Sequence, residues 1–261
     1  MRAVSTLLLS LFLAWPAAAL AAPCTAGAAS SAYCRIGVGV QYRTVAAARG
    51  NDVFIGYGGY GVTEPSAVAW VDALTQARLI QLGVKHLYAV KGPADALYAA
   101  KEISNRALAS HLLRAIGPST RRIIVVAHSS GSFVANEILG WLASLSPATL
   151  FKIHYFSLDG GYGLSWAIAK NLARVYFVYA KMGAAFSRNA AVMKQQAGWF
   201  GAKALPVAVD ASASGCRAAD CLHDTVINTR PYSPVTFLVN RDYVEFDASH
   251  RVVTSYLDRL P

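Results

Sequence analysis

Hydrophobic and polar positions along this chain alternate between two kinds of segment. Short runs of β-branched and aromatic residues predict strands at Ile36–Tyr42, Asp52–Tyr57, His86–Val90, Arg122–Val126, Phe151–Leu158, Arg174–Tyr179 and Leu205–Val209. Between them, apolar residues recurring at helical spacing predict helices from Ser66 to Leu82 (opened by Pro65), Lys101 to Ile116, Ser165 to Leu172 and Ser187 to Phe200. A helix over Val252–Leu260 closes the chain. Strands that alternate with helices form a mostly parallel sheet covered by helices on both faces. No repeat, low-complexity tract or linker divides the chain, so one α/β domain is expected from residue 23 to residue 261.

The most informative stretch is Ile123-Ile124-Val125-Val126-Ala127-His128-Ser129-Ser130-Gly131-Ser132. Its apolar run reads as a strand buried on both faces, and Phe133–Leu139 directly after the small residues reads as the start of a helix. A strand, a tight turn with serine at its apex and a helix form a nucleophile elbow, which needs small flanking residues because the turn is sharp and packed against neighbouring backbone. Ala127 stands where the usual pattern has glycine, a small-for-small change. The bland alternative is a strand-to-helix turn capped by a serine. The unbroken apolar run before Ser129 and the helix after it favour the elbow.

The first residues change the compartment. Arg2, the apolar stretch Leu7–Ala14 and the small-x-small pattern Ala19-Leu20-Ala21 read as a signal peptide over residues 1–22, too short to span a bilayer. Pro23 directly before Cys24 argues against lipoprotein processing. An exported chain, secreted or periplasmic, is expected. The four cysteines agree, with Cys24–Cys34 and Cys216–Cys221 the favoured pairing of the three that four cysteines allow. None has metal-ligand spacing, so no metal is expected. The hydrophobic fraction of 55% and charged fraction of 15% point to a well-buried interior. A net charge of +10 allows weak association with anionic surfaces. Its basic residues are scattered, with no basic helix or aromatic-basic array, which speaks against nucleic acid.

A serine hydroxyl becomes a useful nucleophile only when a base takes its proton and a carboxylate orients that base. In a parallel α/β sheet both partners belong at the carboxyl ends of later strands. Asp159 ends the strand after the elbow unit and precedes Gly160-Gly161, with Asp210 and Asp224 as substitutes. A turn aspartate bonded to its own backbone is the competing reading. Of the six histidines, His86 and His154 fall in strands, His111 falls in a helix, and His128 points away from its neighbour Ser129 in an elbow. His223, in a loop two residues after Cys221, is favoured as base over His250, which heads the final helix. An oxyanion hole would use the backbone N–H of Ser130 and one from the turn after the early strand, where Gly58, Gly59 and Tyr60 compete.

With Ala127-His128-Ser129-Ser130-Gly131, the glycine-rich turn Gly56–Gly61 and Cys221-Leu222-His223, the chain resembles the serine hydrolases of the α/β-hydrolase fold, secreted lipases and esterases among them. In pancreatic-type lipases the acid likewise follows the strand after the elbow, and the base sits two residues beyond a half-cystine. That resemblance marks Ser129, Asp159 and His223 as a triad in the fold's chain order. It covers most of the chain by order of elements but few residues by identity, and the second domain of those animal enzymes is absent. It implies hydrolysis of a small-molecule or lipid carboxylic ester through an acyl-enzyme, without a cofactor. Thioesterases and acyltransferases use the same triad, and a non-catalytic binding protein could keep the same fold. Met182, Phe186, Met193, Trp199 and Phe200 read as an acyl pocket or lid, or more simply as core.

Overall fold

The structure, a computed structural model, describes residues 23–24, 32–46, 48–75, 83–94, 103–145, 151–161, 171–211 and 218–225. The expected signal segment, Cys216, His250, the closing helix and most of the helix expected from Ser165 lie outside them. Leu172, placed at the end of that helix by the sequence, instead begins a strand.

In chain order the elements are β1 (Cys34–Gly37), β2 (Val40–Thr44), β3 (Asp52–Tyr57), α1 (Glu64–Thr75), β4 (Val84–Val90), α2 (Asn105–Ala115), β5 (Arg122–His128) and α3 (Gly131–Ser144). Then follow β6 (Lys152–Leu158), β7 (Leu172–Met182), β8 (Ala185–Phe186), α4 (Ala190–Phe200), a 3₁₀ turn (Gly201–Lys203), β9 (Ala204–Asp210) and α5 (Ala219–Thr225). Among the described residues, nine strands form one sheet in the order β1-β2-β4-β3-β5-β6-β7-β8, with β9 also on β7. From β4 through β3, β5, β6 and β7 to β9 every pairing is parallel. The pairings of β1 with β2, β2 with β4, and β7 with β8 are antiparallel. The single first strand expected over Ile36–Tyr42 is thus two, because the chain reverses at Val38-Gly39, with Gly39 at φ +71°.

Two apolar layers sandwich the sheet, and the period-two alternation of each strand distributes side chains between them. Ile123, Val125 and Ala127 of β5, with Ile153 and Tyr155 of β6, pack under α2, α3 and α4 through Leu108, Leu112, Ile138, Leu142 and Met193. Ile124, Val126, Phe156 and Leu158 face the other way, toward Trp70 and Val71 of α1 and Leu222 of α5. Each such fully buried aliphatic side chain contributes about 1.5–3 kcal/mol relative to exposure. Met193 and Phe200 belong to this core, whereas Phe186 and Trp199 are exposed, so the segment expected as pocket or lid is largely a packed helix.

At the amino ends of β3 and β5 a buried ion pair joins the strands. Arg122 Nε donates to Asp52 Oδ2 at 2.6 Å, and the backbone N–H groups of Arg121 and Arg122 donate to Oδ1 at 2.9 and 3.0 Å. Those donors offset the cost of burying the carboxylate. Helix α1 begins two residues earlier than its pattern suggests, because Thr63 Oγ1 accepts the Ser66 N–H while Glu64 supplies a first-turn acid. The Cys24–Cys34 disulfide ties the start of the described chain to β1, and Cys221 is also disulfide-bonded.

Two buried histidines serve the fold. His86 Nε2 donates to Asn51 Oδ1 and its Nδ1 accepts from the Tyr42 hydroxyl, both at 3.0 Å. His154, on β6, has no partner for Nδ1 among the described residues. Burial pushes both rings down to about 4, helped by the Lys85 charge at His86 and by the Arg122 and Arg174 charges at His154. An unfolded chain protonates its histidines near pH 6.5, before these rings accept a proton. Stability should therefore fall as pH drops from about 6.5 to about 4 and stop falling on this account below that. Denaturant titrations across that window test this. His154→Leu removes one titrating group and should flatten the slope, and a slope equal to wild type would contradict the assignment.

Candidate active site

Strand β5 is buried at every residue and delivers Ser129 directly past its carboxyl end. Ser129 adopts φ +49°, a left-handed conformation unusual for a residue with a side chain. Its N–H donates to Leu158 O at 3.0 Å, and its carbonyl accepts the Ser132 N–H at 3.0 Å and the Ser132 hydroxyl at 2.7 Å. The turn is tight enough that a Cβ on Gly131 would lie 2.4 Å from Gly58 O, so only glycine allows α3 to start so close to the turn after β3. Among the described residues one other non-glycine has positive φ, and it is Asp159 at +41°. Both strained positions lie at the carboxyl ends of adjacent parallel strands.

Asp159 has no exposed surface, and its N–H is held by Val178 O at 2.7 Å. His223 is buried on α5, a short helix where the sequence suggested a loop. Its Nδ1 stands 2.5 Å from Asp159 Oδ2, and its Nε2 stands 2.7 Å from Ser129 Oγ. A carboxylate can only accept, so Nδ1 carries the proton and Nε2 is left to accept the serine hydroxyl. The hydroxyl is thereby hydrogen-bonded to a base whose far side faces a buried acid. The structure thus brings Ser129, Asp159 and His223 together from three separate elements. Asp210 ends β9 as an exposed residue, and Asp159 occupies the position beside the imidazole.

The turn after β3 lies against the serine. It is a strand-to-helix connection and not a hairpin, since β3 pairs in parallel on both sides. Gly58 donates its N–H to Val90 O at 2.9 Å, which removes it as an oxyanion donor. Gly59 remains closest, for a Cβ there would lie 3.3 Å from Ser129 Cβ and 2.5 Å from His128 Nδ1. Tyr60 follows it, half exposed. Ser130 heads α3, its N–H at the positive end of the helix dipole.

His111 and His128 have other partners. His111 Nδ1 is 2.9 Å from the Tyr88 hydroxyl, and burial lowers its pKa. His128 packs against the His223 ring at 4.9 Å between centroids, with Nε2 3.4 Å from His223 O. Burial, then the neighbouring His223, holds His128 well below its ordinary value and therefore neutral.

Two residues that the sequence did not single out touch the acid. Ser187 Oγ donates to Asp159 Oδ1 at 2.6 Å, and Asn189 N–H reaches Oδ2 at 3.4 Å while Asn189 Nδ2 donates to Asp159 O at 2.6 Å. They stand before α4, which begins at Ala190 and not at Ser187 as its pattern suggested.

No family model matches the chain, and no curated protein matches it either. Solved structures do. An esterase from Pyrococcus furiosus superposes with a TM-score of 0.45 at 10% identity, over 68% of this chain and 82% of that one. An α/β serine hydrolase homologue from Coxiella burnetii gives 0.41 at 10% identity, over 66% and 81%. Likenesses this distant carry no weight for function. The fold class follows from the chain's own parallel sheet, two helical layers and elbow, which together make an α/β-hydrolase architecture.

Strain at Ser129 has a measurable consequence. Alanine and glycine at this position both lack the hydroxyl, but only glycine adopts positive φ without a Cβ clash. Ser129→Gly should therefore be more stable than Ser129→Ala by about 1 kcal/mol. Denaturant unfolding of the two variants checks this, and the reverse order would mean that the turn is relaxed.

Proposed function

We propose that the protein is a serine hydrolase that cleaves carboxylic esters, of small molecules or lipids, through an acyl-enzyme. The observation that carries the reading is the unbroken relay from Ser129 Oγ through both nitrogens of His223 to a fully buried Asp159, at 2.7 and 2.5 Å. Ser129 Oγ attacks the ester carbonyl carbon as its proton passes to His223 Nε2. The tetrahedral oxyanion is held by the N–H of Ser130 and by that of Gly59 or Tyr60, donors that suit developing negative charge. Collapse breaks the carbon–alkoxy bond, and the His223 imidazolium protonates the departing alcohol. Water then attacks the acyl-enzyme with His223 as base, releasing the carboxylic acid and restoring Ser129. Asp159 stays ionised throughout and stabilises the imidazolium. No step calls for a metal or an organic cofactor.

We read the chain as exported, periplasmic or extracellular, after loss of residues 1–22. The Cys24–Cys34 disulfide and the half-cystine at Cys221 support an oxidising compartment.

An alkyl fluorophosphonate should label wild-type protein at Ser129. p-Nitrophenyl esters of graded chain length should be hydrolysed, with the best substrate defining the acyl preference. Ser129→Ala and His223→Ala should each lose about 10³-fold or more in turnover while keeping the wild-type circular dichroism. Absence of labelling in folded wild-type protein would remove the enzyme reading and leave a binding protein of the same fold.

A further inference from the structure

Ser187 stands in the turn between β8 and α4, buried, and 28 residues from the acid it touches. Three contacts fix it. Its N–H donates to Ala180 O at 2.9 Å, the Ala180 N–H donates back to its Oγ at 3.1 Å, and its hydroxyl donates to Asp159 Oδ1 at 2.6 Å. A carboxylate oxygen can only accept, so the Ser187 proton is committed to Asp159 Oδ1. Asn189 adds a backbone N–H to Oδ2 and clamps the Asp159 carbonyl with its side-chain amide. Arg188 lies between them and pairs, on the surface, with Asp220 of α5 at 2.6 Å. Three consecutive residues thus touch both oxygens of the acid, its backbone and the helix of the base.

We infer that Ser187 is a positioning residue that sets how tightly the Asp159–His223 pair holds its proton; the catalytic part of this inference rests on the function proposed above. A buried carboxylate with few donors favours protonation, of itself or of a neighbouring base. The Ser187 hydroxyl stabilises the anion at Oδ1, so less of its charge is available to hold a second proton on His223. It also fixes the carboxylate's rotation, which keeps Oδ2 aimed at Nδ1. Among the described side chains, the titratable and charged groups around His223 are Asp159 on the loop after β6, His128 on β5, and Asp220 with Arg188 across α5 and the clasping turn. His128 is held neutral and the Asp220–Arg188 pair is exposed and self-compensated, so Asp159 dominates.

The test compares wild type with Ser187→Ala and Ser187→Thr. An NMR titration of the His223 imidazole reports the pair directly and needs no substrate. The midpoint should rise in Ser187→Ala and return toward wild type in Ser187→Thr, which keeps the hydroxyl. With the best p-nitrophenyl ester, kcat of Ser187→Ala should fall about tenfold or more, as for loss of a hydrogen bond to a charged group. KM should change little, and the acid limb of the pH profile should move to higher pH with the midpoint. If Ser187→Ala fails to fold, Ser187→Cys keeps the volume with a weaker donor and should give a smaller rise of the same sign. A folded variant at this position whose His223 titration superimposes on wild type overturns the inference. Failure of wild-type protein to react with fluorophosphonate would overturn the hydrolase reading instead, and the titration would still decide the role of Ser187 in the pair.

Discussion

Strand β5 is held on four sides, by ladders to β3 and β6 along its two edges and by an apolar layer on each face, and the rest of the site takes its position from that confinement. A strand with all seven residues buried cannot rotate or slide without exposing a row of aliphatic side chains or unpairing backbone groups. The strain at Ser129 is tolerated for this reason. A residue in the left-handed region persists only where its surroundings over-determine it. Here the strand fixes one side of the turn, and the Ser132 hydroxyl fixes the other by bonding the Ser129 carbonyl.

The same logic extends to the acid. A carboxylate with no exposed surface would be costly alone. Asp159 meets three donors, from His223, Ser187 and Asn189, each from a different stretch of chain or a different atom of one turn. Charge compensation and geometry are therefore the same set of bonds, and the imidazole is oriented by the group that most needs it. His128, packed against the ring at 33° between the ring planes, limits the movement of His223 without adding charge.

Much of this was legible in the residues because it depends on local pattern. The apolar run of β5, the small residues around Ser129 and the Asp-Gly at the end of β6 are each a few residues long and contiguous. His223 was identifiable by its place after the last strand, although its setting on a helix was not, since α5 is short and has no apolar periodicity to announce it. What the sequence could not reveal was contact across distance. Ser187 read as the first residue of a helix, and only the folded chain shows its hydroxyl turned to an aspartate in the loop after β6. Of the three candidates in the turn after β3, Gly58 is set aside by its bond to Val90, a partner in β4 that no spacing predicts. The split of the first strand likewise turns on one residue, Gly39, whose backbone angle the surrounding alternation conceals.

The buried Asp52–Arg122 pair sits at the far end of β3 and β5 from Ser129, yet it acts as the zero mark of a ruler. From that mark both strands run in parallel register, with Tyr57 beside Ala127, so that two further residues on each place Gly59 next to Ser129. The turn after β3 and Ser129 are aligned by counting residues from a common origin. Side chains along the two strands can be exchanged for others of similar size without disturbing that count. A single insertion or deletion in either strand cannot, because it displaces one turn against the other by about 3.3 Å, one residue's rise. Evolution along this part of the chain should therefore be free to change letters and closed to changes of length.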